Sequence, residues 1–167
     1  MAIQTNGITG AELANLPVFQ MMAPKELEVL ALALRERRVR PDEVLYRQGD
    51  RGSTCHVVLQ GALLISLNAN GTQRDVGASL PGELLGEVAL LDGGPRSATV
   101  RGGPDGARVG ELDKVDFDQV FGAGSPFAYK LMDIVATRMV SRMREAMNRV
   151  VTAVLIEDEA TTPPEGP

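Results

Sequence analysis

Along this chain the spacing of apolar residues changes twice, from helical to alternating and back to helical. Thr9 and Glu12 stand three apart as a capping box and open a short helix that ends before Pro17. Pro24 opens a second helix, since proline is tolerated at the first helical position, and Leu27, Val29, Leu30, Leu32 and Leu34 give it an apolar surface. Arg35, Arg37, Arg38 and Arg40 follow. They read as solvated charge alternating along an edge strand, with a docking patch for an acidic partner as the alternative. From Asp42 to Leu112 short strands are expected at 43–47, 56–59, 63–67, 74–80, 98–101 and 108–112. Gly61 marks a tight connection or bulge, Asn70-Gly71 a hairpin turn, and 102–106 a link between the last two strands. Asp113 caps a helix over 114–121, which Gly122 and Gly124 break. Ser125-Pro126 then opens a last helix to about residue 155, roughly 45 Å long. The pattern predicts an α+β fold: a small antiparallel β-barrel or jelly roll flanked by N-terminal helices and a long C-terminal helix. Residues 1–8 form a loose leader, 9–155 one domain, and 156–167 a disordered acidic tail.

The long helix has a second pattern. Met132, Ala136, Met139, Met143, Ala146, Val150 and Ala153 recur at alternating steps of four and three, which is a heptad seam. Leu131 and Val135 mark a face that packs on the helix's own barrel, but so long a helix overhangs a small barrel. A parallel homodimer through this helix is expected, with methionine and alanine making a soft seam that permits sliding.

Residues 82–100 carry the candidate chemistry. An apolar run long enough for little more than one helical turn breaks at Asp92-Gly93-Gly94-Pro95, before a strand led by Arg96-Ser97-Ala98. The backbone N–H groups that open the short helix, near 86–88, lack intrahelical partners and suit an anion. Gly86 lets a ligand approach the main chain, having no Cβ. Arg96 brings a planar fork that matches a phosphate. Glu87 repels a phosphate but accepts a hydrogen bond from a sugar hydroxyl. One acceptor for a ribose and one fork for a phosphate describe a nucleotide site.

The run Leu85-Gly86-Glu87 … Arg96-Ser97-Ala98 resembles the phosphate-binding cassette of cyclic-nucleotide-binding domains, whose pattern is Phe-Gly-Glu, a spacer, then Arg-Ser/Thr-Ala. Leu13-Ala14-Asn15-Leu16-Pro17-Val18-Phe19, Val44-Leu45-Tyr46-Arg47-Gln48-Gly49-Asp50 and Val57-Val58-Leu59-Gln60-Gly61 resemble the same family and stand in its order. The resemblance covers about residues 11–150. It implies a receptor for a cyclic purine mononucleotide, held by Gly86, Glu87, Val88, Arg96, Ser97 and Ala98. Leu85, which stands where the pattern has Phe, packs beneath. The last helix closes over the base, which meets it near 139–143; there Arg142 stacks on or hydrogen-bonds the purine, or is a solvated helix charge. Ser97 resembles the adenosine-binding bacterial members, although a hydroxyl there also reaches the amino group of a syn guanine. cAMP is favoured over cGMP. In the bacterial cAMP receptor proteins a winged helix-turn-helix follows the long helix, whereas here a dozen residues, acidic and proline-bearing, follow Leu155. A stand-alone sensor domain, or a fragment of something longer, is expected.

Composition narrows the function classes. A net charge of −5 argues against general nucleic-acid affinity and leaves the attraction of an anion to local groups. No apolar run approaches bilayer-spanning length and the N-terminus lacks a signal pattern, so a cytoplasmic protein is expected. The single cysteine, Cys55, allows no internal disulfide. His56 is the only histidine and reads as a partly exposed ring on a strand face rather than a metal ligand. Small barrels also host metal-dependent oxygenases and isomerases, but one histidine cannot supply their ligand cluster, so neither enzyme, metal nor cofactor is expected. The remaining alternative is a degenerate member acting as a dimerisation or interaction element, against which intact Glu87 and Arg96 argue. A protein effector is expected and the sequence does not name it.

Overall fold

The computed structural model describes residues 7–120 and 126–161, without the side chains of 120, 126–128, 131 and 153–161. The leader up to residue 6, the glycine break at 122–124 and the tail from 162 lie outside the described residues. Helix α1 (Gly10–Ala14) starts as its cap predicts, with the Glu12 N–H donating to Thr9 Oγ1 at 3.1 Å. The Glu12 carboxylate turns instead to Arg108, so only half of the capping box forms. A 3-10 turn at Pro17–Phe19 leads to α2 (Pro24–Ala33), where Glu26 accepts from the Ala23 N–H at 2.7 Å. Ile8 is buried and packs into the core, so residue 8, expected in the leader, belongs with the domain.

The strands are β1 (Arg35–Val39), β2 (Val44–Tyr46), β3 (Thr54–Ala69), β4 (Thr72–Ser79), β5 (Leu84–Leu85) and β6 (Thr99–Asp113). They form one antiparallel sheet in the order β1-β6-β3-β4, with β2 on β6 and β5 on β3. The expected pairs 56–59 with 63–67, and 98–101 with 108–112, are each one continuous strand. Gly61, read as a tight connection or bulge, is a bulge within β3, and Gly106, read as part of a link, is a bend within β6. Gly61 and Gly106 take φ of 77° and 71°, and their backbones approach too closely to admit a Cβ at Gly61. The β3–β6 register shifts beside Gly61, which is how a long strand curls without breaking its ladder. Asn70-Gly71 makes the expected hairpin between β3 and β4. β1 lies at the edge of the sheet. Its arginines are ion-paired, Arg35 with Asp113 and Asp116, Arg37 with Glu43 and Glu111.

Two apolar clusters hold the fold. Val39, Leu45, Val58, Leu63, Leu85, Val100 and Val109 fill the curl of the sheet. Leu13, Phe19, Leu27, Leu30 and Leu34 pack the N-terminal helices against Val57, Leu84, Leu90 and Leu112 outside it. Helix α3 (Glu87–Asp92) opens from β5, and α4 (Lys114–Val120) follows β6, its start capped by Asp113 Oδ1 accepting from the Asp116 N–H at 2.8 Å.

Helix α5 (Pro126–Thr161) runs past residue 155 through the acidic residues 157–159. Acidic side chains tolerate a helix, and no proline interrupts before Pro163. Val135 is buried among the N-terminal helices, and Lys130 clasps Glu26 of α2 at 2.7 Å. Beyond Val135 polar contacts tie α5 to the sheet, among them the Arg149 guanidinium on the Val76 carbonyl at 3.3 Å.

Candidate functional site

Gly86 ends β5 and begins α3 with φ 77°, a left-handed conformation that L side chains rarely adopt. A Cβ there would collide with the Arg96 guanidinium and stand 2.9 Å from the Thr54 carbonyl. The glycine therefore serves Arg96 as well as any ligand. Arg96 Nη1 donates to the Thr54 and Gly86 carbonyls at 2.7 and 3.2 Å, and Nη2 donates to Thr54 Oγ1 at 2.7 Å. The guanidinium lies over the Tyr46 ring, 4.1 Å from its centroid. These contacts hold the fork flat and, among the described residues, leave its side edge, the Nε–H and the second Nη2 N–H, without an acceptor. Arg96 Nε is buried and unpartnered.

Glu87 is buried to 1% exposure, which is costly for a carboxylate unless it is paired. Arg142 of α5 supplies the pair: Nη1 donates to Glu87 Oε1 at 2.8 Å, and Nη2 donates to the Leu84 carbonyl. Glu87 Oε2 is buried with no donor. A cavity of about 90 Å³ thus carries one open acceptor and one open donor edge among its lining groups. Leu85, Gly86, Glu87, Val88, Arg96, Ser97, Ala98 and Arg142, the eight residues singled out from sequence, all line it.

A second cavity of about 410 Å³ adjoins the first and shares Ile65, Ser97, Ala98 and Arg142 with it. One wall is apolar, from Leu67 and Val76; the other is the face of α5 carrying Arg138, Ser141, Glu145 and Arg149. Of the region near 139–143 expected at the base, Ser141 and Arg142 line this cavity and Met139 and Met143 do not. Successive helix positions turn by roughly 100°, so a shift of one residue moves a side chain to another face. Of the seam, Met132, Met139, Met143 and Val150 are exposed, with Met147 and Val151 beside them, whereas Ala146 lines the larger cavity.

Sequence reading missed Tyr46, Thr54, Arg138, Glu145 and Arg149. Tyr46 stands in a motif that carries the resemblance but gives no role. Thr54 acts partly through its main chain, which leaves no side-chain signal. His56 also differs from expectation: it is buried, not partly exposed. Its Nε2 lies 3.0 Å from Glu111 Oε2 across the β3–β6 ladder, its ring is 5.8 Å from that of Tyr46, and Nδ1 is buried without a partner. Burial pushes the imidazole below its ordinary range, outweighing Glu111, and the hydrogen bond from His56 holds the Glu111 carboxyl below its own. The folded state thus favours the neutral ring, donating from Nε2. That contribution to stability is present above the unfolded value, about 6.5, and is lost as pH falls below it. The urea midpoint is expected to drop as pH falls from about 7 to 5, and less steeply in His56→Gln. Equal slopes in both proteins would remove His56 from the acid response.

The family model described as "Cyclic nucleotide-binding domain" matches residues 36–123. The chain belongs to this family. The cyclic nucleotide-binding domain is 32% identical over 149 residues to the cyclic AMP receptor protein of Thermus thermophilus, covering 83% of this chain and 68% of that protein. It is 31% identical over 99 residues to the cAMP-dependent protein kinase regulatory subunit of Mycosarcoma maydis, covering 58% of this chain and 19% of that one. A solved cyclic nucleotide-binding domain from Methylobacillus flagellatus superposes with a TM-score of 0.75 at 19% identity, covering 86% of this chain and 80% of that one, and shares the fold.

Proposed function

We propose that this domain is a cytoplasmic receptor for a cyclic purine mononucleotide, cAMP in preference to cGMP, and that it signals to a protein effector through α5. The observation that carries the reading is the pair of buried, unpartnered atoms in one cavity, Glu87 Oε2 and Arg96 Nε. A cyclic phosphate satisfies the side edge of Arg96, with one negative charge against one positive. The ribose 2′-hydroxyl satisfies Glu87 Oε2 while Arg142 keeps Oε1. The purine then lies in the larger cavity between Leu67 and Val76 and the guanidinium-bearing face of α5. Ser97 and Ala98, shared by both cavities, stand where sugar phosphate and base meet. Ser97 and the relatives named for cAMP favour adenine. The buried reduced thiol of Cys55 agrees with a reducing compartment, and among the described residues no helix is long and apolar enough to cross a membrane.

The outward seam of α5 supports a parallel homodimer, since Met132, Met139, Met143 and Val150 are exposed at heptad spacing on a face other than the one lining the cavity. Light scattering of the full chain tests this, with a dimer mass expected and a monomer mass contradicting it.

Glu87→Gln tests the sugar contact. The change replaces a charge-assisted hydrogen bond with a neutral one and is expected to weaken cAMP by about 1–2 kcal/mol. Its 2′-deoxy analogue, which offers no hydroxyl, should lose much less. Equal losses for the two ligands would give Glu87 a structural role only.

A further inference from the structure

Behind Arg96 stands a column of groups that the binding reading does not use. Arg96 lies over one side of the Tyr46 ring, His56 packs against the same ring, and Glu111 takes the His56 Nε2–H. Thr54, which holds Arg96, is two residues before His56 on β3 and so lies on the same side of the sheet. His56 also pairs with Leu85 of β5, the residue before Gly86. His56 does not itself line the cavity.

We propose that Tyr46 is a positioning residue for Arg96 and that the column Arg96–Tyr46–His56 makes nucleotide binding take up a proton at His56. The inference rests on the cassette reading. In the empty site the Arg96 charge stands one aromatic ring away from the imidazole and opposes a second positive charge there. A cyclic phosphate on Arg96 cancels that charge, and the imidazolium becomes easier to form at the open Nδ1. By reciprocity, lowering the pH strengthens nucleotide binding while the protein remains folded.

The charged and titratable groups around His56 leave the imidazole as the site of proton uptake. Glu111 on β6 and Glu87 on α3 are acceptors, and Arg37 on β1 and Arg96 are fixed cations. Burial pushes the Tyr46 hydroxyl and the Cys55 thiol up to about 12, so both stay neutral across the range in which histidine titrates. The chain has one histidine. The cyclic phosphodiester keeps one negative charge throughout.

Calorimetric titration of the full chain with cAMP, in two buffers of different ionisation enthalpy, counts the protons taken up. Uptake is expected at about pH 6 and none at about pH 8, with the Kd about threefold tighter at the lower pH. His56→Gln should abolish both the uptake and the pH dependence. Tyr46→Phe, which keeps the ring, should retain both, and Tyr46→Leu should weaken binding at either pH. The single imidazole resonance gives the same answer without a variant: its titration should move to higher pH on saturation with cAMP. Binding without proton uptake, an unmoved resonance, or equal uptake in His56→Gln overturns this inference and leaves the cassette intact. Absence of binding at both pH values overturns the cassette reading and this inference together.

Discussion

Arg96→Ala is expected to lower cyclic-nucleotide affinity by about 2–4 kcal/mol, because it deletes the cationic partner of a buried phosphate. The structure adds a second effect. Arg96 satisfies the Thr54 and Gly86 carbonyls and the Thr54 hydroxyl, so alanine leaves polar groups of the cassette without donors. A loss of about 1–3 kcal/mol of fold stability should accompany the loss of binding. Arg96→Lys separates the two effects. It keeps the charge but presents no fork, so the flat stack on Tyr46 and the side edge for the phosphate both go. Lysine should recover part of the affinity and little of the stability. A folded Arg96→Ala protein that binds within about threefold of wild type would overturn the cassette assignment.

Ending the chain before Thr137 is expected to have the other large effect. It removes Arg138, Ser141, Arg142, Glu145 and Arg149, one whole wall of the larger cavity, and most of the outward seam. Val135, the buried anchor of α5, and the Glu26–Lys130 pair remain, so the core survives. Glu87 loses the arginine on Oε1 and opens to water. The shortened protein should be monomeric and should still bind the sugar phosphate. Its affinity should fall, and with it much of the choice between adenine and guanine. A ligand moves α5 only through unequal affinity for two positions of the helix, and the proposed transmission places that inequality at the Arg142–Glu87 bridge. If the full chain is already monomeric and truncation leaves affinity and base preference unchanged, α5 neither dimerises nor closes the site.

The lining of the smaller cavity was legible in the sequence because most of its residues lie within one short segment, 85–98. The pairings were not. Arg142 and Glu87 are 55 residues apart, as are His56 and Glu111, and nothing local signals that either pair meets. The strand ends failed for a related reason: the glycines of 102–106 read as a link, yet Gly106 bends β6 where β3 bends at Gly61. Along α5 the heptad period gave the seam, but the period alone does not say which face the barrel takes. The polar contacts of Arg142 and Arg149 decide that.

Calorimetric titration of the full chain with cAMP and with cGMP tests the central claim most directly. Saturable binding of a cyclic purine nucleotide, one per chain and tighter for cAMP, is the predicted result. A folded protein that gives no binding heat with either nucleotide, and whose melting temperature neither raises, would contradict it.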